Sequence, residues 1–173
     1  MERRHEPVCL ILTRQAVPTL DRTRYASAEG LRRGAYVLAD APGGKPDVLL
    51  LATGSEVALC VQAYELLKNQ GVKARVISIP SWEMFEHHCR NNPGYRESVL
   101  PLAVTARVSV ELASTFGWER YVGIDGQALG MKTFGASAPL KELQKKFGFT
   151  PEHVVAAAKE MVALTGSRRH PTN

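Results

Sequence analysis

Apolar positions along the chain fall into short unbroken runs separated by stretches with helical spacing. Residues 7–15, "PVCLILTRQ", hold a continuous apolar run that ends in polar residues, which predicts a buried strand. A polar stretch follows, with Pro18, Pro42, Pro46 and the turn "APGGKPD"; residues 16–34 are expected as a linker and "AYVL" as a short strand. From Asp47, "VLLLAT" predicts a strand covered on both faces. Residues 55–71 place Val57, Cys60, Val61, Tyr64 and Leu67 on one helical face, with Gly71 positioned to end the helix. "KARVISIP" is the next strand, stopped by Pro80. Two strands joined by one helix form a βαβ unit, which implies a parallel pair with a right-handed crossover.

"SWEMFEHHC" and "GYRESVLP" predict short helices, the first started by Ser81 and the second by the Pro93-Gly94 turn. "ARVSVEL" is expected as a third core strand and "YVGID", residues 121–125, as a fourth. "SAPLKELQKKFG" is a helix closed by Gly148. "TPEHVVAAAKEMVAL" is the last helix, with Thr150 as N-cap, Pro151 in the first turn and Glu152 beside the positive helix end. The tail "TGSRRHPTN" is expected to fray. Alternating strands and helices predict a three-layer α/β/α sandwich, and the loops at strand ends are where such folds bind ligands.

Composition narrows the function class. The 173 residues suffice for one α/β domain with a proper core, or one domain with an appended piece. No apolar run approaches a membrane span, and "VCLIL" is too short for the core of a signal peptide. The net charge of +5 sits at the ends: residues 1–35 contribute +3, Arg168 and Arg169 contribute +2, and residues 36–165 are neutral. A nucleic-acid binder carries its basic face on the folded body, so no nucleic-acid partner is expected, and no membrane partner either. Cys9, Cys60 and Cys89 are odd in number and far apart, which fits reduced thiols in a cytoplasmic protein rather than a disulfide framework or a zinc site.

Four stretches invite chemistry. "ATGSEV" has the outline of a phosphate cradle, a strand followed by a tight loop and a helix N-terminus. Yet Thr53 and Glu56 fit a capping box that would use the free N–H groups internally, and no Lys follows the glycine, so a structural turn is favoured. The glycines at 123, 126, 130 and 135 suit either a mobile loop at a ligand site or a long connection, and the connection is favoured. His87 and His88 point about 100° apart on a helix and cannot grip one ion together; Glu83 and His87 are spaced to pair. Arg14 follows the first apolar run directly, so its guanidinium is expected at a strand end, suited to bidentate capture of a phosphate or carboxylate; a surface ion pair fits it equally. No catalytic triad and no carboxylate pair stands out.

Taken together, "LILTRQ", "GAYVLAD", "LLLATGSEVALCVQAYELLKNQGVKARVISIPSWEMFE", "YRESVLP", "TARVSVE" and "TFGASAP…FGFTPEHVV" resemble the C-terminal end of transketolase, in family order from about residue 7 to 164. The resemblance implies a mostly parallel mixed sheet. It also implies four parts: residues 1–26 ending a preceding pyrimidine-binding domain, 27–35 a linker, 36–165 the C-terminal domain, and 166–173 a flexible tail. In the family, thiamine diphosphate and a divalent metal (Mg²⁺ or Ca²⁺) bind across a homodimer interface, and a two-carbon ketol unit passes from a ketose phosphate to an aldose phosphate, a pentose phosphate pathway reaction.

The family's GDG motif with its following Asn is absent, and "GIDGQ" does not replace it. The chain is therefore expected to carry no catalytic, cofactor or metal residue and to be inactive alone. One family residue carries over: Arg14 of "TRQ", as a contact to the sugar phosphate. The residue before it, often Ser in the family, is Thr13 here. The alternatives are a stand-alone ligand-binding or interaction module of the same fold, with the glycine-rich loop and Asp125 as the feature that would serve it, or the C-terminal domain of a related thiamine diphosphate enzyme.

Overall fold

A computed structural model describes residues 7–169. Five strands form one mixed sheet: β1 (Tyr36–Ala39), β2 (Val48–Ala52), β3 (Ala74–Ser78), β4 (Arg107–Ser114) and β5 (Gln127–Met131), in the spatial order β1-β3-β2-β4-β5. β1 runs antiparallel to β3; the other three pairings are parallel. Six helices accompany them: α1 (Val57–Asn69), α2 (Trp82–Asn91), α3 (Tyr95–Val99), α4 (Glu119–Val122), α5 (Leu140–Phe147) and α6 (Pro151–Arg169).

The unbroken apolar run of β2 has a physical cause in the layers. Val48, Leu50 and Ala52 face a core shared with Val76, Val108 and residues of α1 and α6, among them Cys60, Leu67, Val154 and Ala158. Leu49 and Leu51 face the other core, with Ile77, Phe85, Trp118 and Tyr121. Both faces are covered, so neither parity of the strand carries a polar residue. The expected three-layer α/β/α sandwich with a mostly parallel mixed sheet is the architecture observed.

Helix ends follow local chemistry. The Ser81 side chain accepts from the Met84 N–H and starts α2. Gly71, at φ 76°, lets the chain turn left-handed after α1, with its N–H bonded to Lys68 O and the Val72 N–H to Leu67 O. Thr150 Oγ1 accepts from the His153 N–H and starts α6.

Four expectations are corrected. Residues 7–15 are not a strand: they are exposed, bend at Arg14 and Gln15, and join no ladder. An apolar run becomes a strand only where a neighbour takes its N–H and C=O groups, and every described strand lies at or beyond residue 36. Residues 121–125 are not a strand either. Tyr121 and Val122 sit buried on α4, Gly123 ends that helix, and the fourth parallel strand is β5, inside the stretch expected as a long connection. The 16–34 stretch is more than a linker: Tyr25 is buried in the first core and residues Ala28–Arg33 form a 3₁₀ helix. Finally, α6 does not stop before Gly166. It continues through Arg169, with Thr165 and Ser167 hydroxyls bonded back to carbonyls one turn earlier; residues 170–173 lie outside the described residues.

Candidate functional site

β2 and β3 end together at Ala52 and Ser78, level with Val110 of β4, which runs on to Ser114; the chain leaves β2 toward β3 on one side and later toward β4 on the other. This reversal makes the crevice between the ends of β2 and β4 the place where such sheets bind ligands. The "TGSE" loop stands in that crevice. Thr53 has the extended backbone of an N-cap, but its side chain makes no capping bond, so the expected capping box does not form.

Glu56 turns inward instead. Its Oε1 accepts from Ser55 Oγ at 2.6 Å and its Oε2 from the Leu112 N–H of β4 at 3.1 Å, and the residue is only 6 % exposed. A carboxylate of the protein's own thus occupies the position where an anionic ligand would accept an N–H. The favoured reading, a structural turn, holds for this reason rather than through the capping box. One turn into α1, burial pushes the Cys60 thiol far up, and the Glu56 charge adds to it, so this cysteine is a packing residue and not a nucleophile.

Over this end of the sheet lies an open groove of about 1360 Å³, bounded on its far side by the extended N-terminal segment. Thr13 and Gln15 line it from that segment, Ser55, Glu56 and Glu111 from the sheet end, and Lys145 from α5. Arg14 lies at a bend between two of these residues. The Gln15 N–H donates to Thr13 Oγ1 at 3.2 Å, which fixes the bend. The Arg14 side chain is exposed, and none of the described residues pairs with it. The strand that was to present it is absent, so its placement rests on this short turn.

The other candidates resolve into structure. The His87 ring lies 3.3 Å from the Asn91 amide, and His88 meets the Tyr95 ring edge-on at 4.5 Å. Glu83 accepts from the Ser81 hydroxyl rather than pairing with His87. Gly126 and Gly130 are close-approach positions: a Cβ would fall 2.4 Å from Val122 O at the first and 2.7 Å from Thr115 Cγ2 at the second.

Sequence reasoning passed over one buried and two half-buried charges that organise the domain. Arg75, the second residue of β3, donates Nε to Asp40 Oδ1 and Nη2 to Asp40 Oδ2, both at 2.8 Å, and Nη1 to Ser98 O. Arg107 donates to the carbonyls of Val104, Pro101 and Tyr121. Glu86 accepts from Arg96 and from the Tyr121 hydroxyl; burial works against its charge, but these two donors prevail and hold its carboxyl below the usual range. The "YRESVLP" motif is therefore a set of braces: Tyr95 OH reaches Ala35 O, Arg96 reaches Glu86, and Glu97 accepts from the Leu102 N–H. An Arg inside an otherwise apolar strand was the available signal for Arg75.

Among the described residues, no three His, Cys, Asp or Glu side chains converge as a cation site requires. No helix among the described residues is long and apolar enough to cross a membrane.

Comparison with known proteins gives consistent matches. Residues 34–150 match the transketolase-like TK C-terminal domain. The chain is 46% identical to the transketolase of Geobacillus stearothermophilus, over 94% of this chain and 24% of that protein. It is 49% identical to transketolase 1 of Escherichia coli K12, over 94% of this chain and 24% of that one. Among solved structures, the transketolase of Pichia stipitis described as a complex with sedoheptulose 7-phosphate superposes with a TM-score of 0.77 at 40% identity, covering 89% of this chain and 21% of that chain. The chain spans about a quarter of the length of the curated relatives it matches.

Proposed function

This chain belongs to the transketolase family, and from that premise we propose that it is the C-terminal part of a thiamine diphosphate-dependent transketolase. The whole enzyme moves a two-carbon ketol unit from a ketose phosphate to an aldose phosphate. This part supplies a contact to the substrate phosphate and a share of the homodimer scaffold, and the cofactor and its Mg²⁺ or Ca²⁺ are held elsewhere. One observation carries the reading. The match is continuous over nearly the whole of this chain, yet it occupies a quarter of the relatives and corresponds to their C-terminal domain.

Arg14 is the residue assigned to the phosphate. It lies ahead of the matched domain, at a fixed bend beside the groove, with an exposed guanidinium. A planar fork of this kind holds two phosphate oxygens at once. A relative described in complex with a sugar phosphate supports the substrate class. The three cysteines, all unpaired thiols, fit a cytoplasmic setting.

A chimera tests the reading. Residues 7–164 replace the matching segment of the Geobacillus stearothermophilus enzyme. The chimera is expected to dimerise and to transfer ketol units between sugar phosphates, while calorimetric titration of the isolated chain with thiamine diphosphate and Mg²⁺ gives no binding heat. A folded, dimeric chimera that binds cofactor but transfers nothing would overturn the proposal, as would micromolar cofactor binding by the isolated chain.

A further inference from the structure

The two edges of the sheet are treated differently. Along β1, the Ala26 N–H donates to Leu38 O at 2.9 Å, and the 3₁₀ helix Ala28–Arg33 packs beside the strand. Along β5 no described residue forms a ladder on the outer side, and its five residues are half-buried. Gln127–Met131 hold neither charge nor proline, two of the devices that ordinarily keep an open edge from pairing. The backbone groups along that side need water or another strand as partner.

The residues around β5 are arranged evenly about its centre, Leu129. Ile124 lies three residues before the strand and Phe134 three residues after it, and both are fully exposed. Asp125 stands beyond the first end and Lys132 beyond the second. Leu129 and Met131 pack toward the core of α1 and α6, and Ala128 toward the other core. Alternation puts Gly130 on the same face as Ala128, so no bulky β5 side chain stands on that face. A segment balanced about its midpoint complements itself when two copies run antiparallel.

We propose that β5 pairs with β5 of a second copy of this chain, antiparallel and two-fold symmetric about Leu129. The two five-stranded sheets then become one continuous sheet, and the axis stands normal to it, so both α6 helices lie on the same face. Ile124 of each copy meets Phe134 of the other, which takes both fully exposed side chains out of water. The Asp125 end of each strand falls beside Lys132 of the other, and opposite charges across such a pair are favourable. A parallel pairing would set Lys132 beside Lys132 instead. A slip of two residues would part Phe134 from Ile124 and leave residues of both strands unpaired, so the register is fixed by the same side chains that are buried. The same patch serves both copies, and the contact closes at the dimer. As a surface for the homodimer proposed above, it rests on that reading; as a property of this chain, it is tested without it.

The test uses the full 173-residue chain and two exposed single substitutions, Ile124→Glu and Phe134→Lys. Sedimentation equilibrium from micromolar to submillimolar protein is expected to show a monomer in balance with a dimer and nothing larger. Each variant alone, with unchanged circular dichroism and melting temperature, carries its defect twice in every dimer and is expected to weaken association by about tenfold or more. The two variants mixed are expected to dimerise more tightly than either alone. Each mixed pair keeps one Ile124–Phe134 contact and sets the two introduced charges, opposite in sign, against each other. A wild-type chain that stays monomeric overturns the contact, as does one that grows past the dimer. Association that neither variant weakens, or a mixture no tighter than its components, overturns it as well. None of these results touches the transketolase reading, which the chimera tests.

Discussion

The Glu56 carboxylate accepts the N–H of Leu112, 56 positions along the chain, at 3.1 Å. This bond ties the loop after β2 to the far end of β4, where the β4–β5 ladder slips register between Val110 and Ser114. The crevice is held closed by an internal anion. Glu56→Ala leaves the Leu112 N–H and the Ser55 hydroxyl without their acceptor and is expected to cost about 1–3 kcal/mol. Glu56→Gln keeps one acceptor oxygen in place and is expected to cost less. Urea denaturation midpoints at constant m-value measure both. Acetate should raise the melting temperature of Glu56→Ala and not that of the wild type, because only the variant has a vacant acceptor position; equal effects on the two proteins would count against the bond.

Arg14 makes a different kind of contact if it reads the substrate phosphate. In the chimeric enzyme, Arg14→Ala is expected to raise KM for sugar phosphates by one to two decades, the equivalent of about 1.5–3 kcal/mol for a charged hydrogen bond. The phosphate is unchanged by the reaction, so the contact is uniform binding and kcat should fall much less than KM rises. Arg14→Lys should recover only part, because an ammonium supplies a point charge without the fork. A non-phosphorylated donor is the control: equal losses on both donors would make Arg14 a structural residue.

The sheet and its layers were legible in the sequence because both-face burial writes itself as unbroken apolar runs. "VLLLA" and "ARVIS" gave β2 and β3 in register order, and Ser81, Gly71 and Thr150 marked helix ends by chemistry that acts within a few residues. What failed was context at a distance. "VCLIL" carries a strand's pattern, but a strand also needs a neighbour, and periodicity says nothing about one. "YVGID" failed for the opposite reason, since two buried residues are too few to separate a helical turn from a strand. Glu56 looked like one half of a capping box because its true acceptor role depends on Leu112, far along the chain. Arg14 drew attention by its place after an apolar run and by the family resemblance, but an exposed Arg at a bend carries no local sign that separates a ligand contact from a surface charge.

The Glu86–Tyr121 pair gives a pH dependence with two limbs. Burial first, and then its bond to Glu86, push the Tyr121 hydroxyl up to about 12. A raised tyrosine stabilises the fold fully below its ordinary value of 10.0, and this contribution is lost as pH rises from there toward 12. Glu86 is held low, so its contribution is present above the ordinary carboxylate range and is lost as pH falls through its folded value. Tyr25 is raised to about 12 as well, so Tyr121→Phe should remove part, not all, of the alkaline slope. Glu86→Gln should flatten part of the acid limb. Unfolding free energies from denaturant titrations across both windows check the signs, and an alkaline slope unchanged in Tyr121→Phe would mean that this tyrosine ionises as freely folded as unfolded.

The start of the independently folding unit can be placed from Tyr25 rather than from the first strand. Tyr25 is 8 % exposed, packs into the core beside Leu38 and α1, and donates its hydroxyl to Glu65 at 2.8 Å; Leu20 packs against the same cluster. The Ala26 N–H completes the outer side of β1. A chain beginning at Gly34 removes all of these while leaving every strand in place. It should still unfold cooperatively, because both cores lie almost wholly beyond that point, but with a loss of about 3–5 kcal/mol, the usual scale for deleting a large buried aromatic. A chain beginning at Leu20 keeps the tyrosine and should match the stability of residues 1–173. Melting curves of the two chains check this: equal stability of the Gly34 and Leu20 chains would show that Tyr25 contributes nothing to the fold.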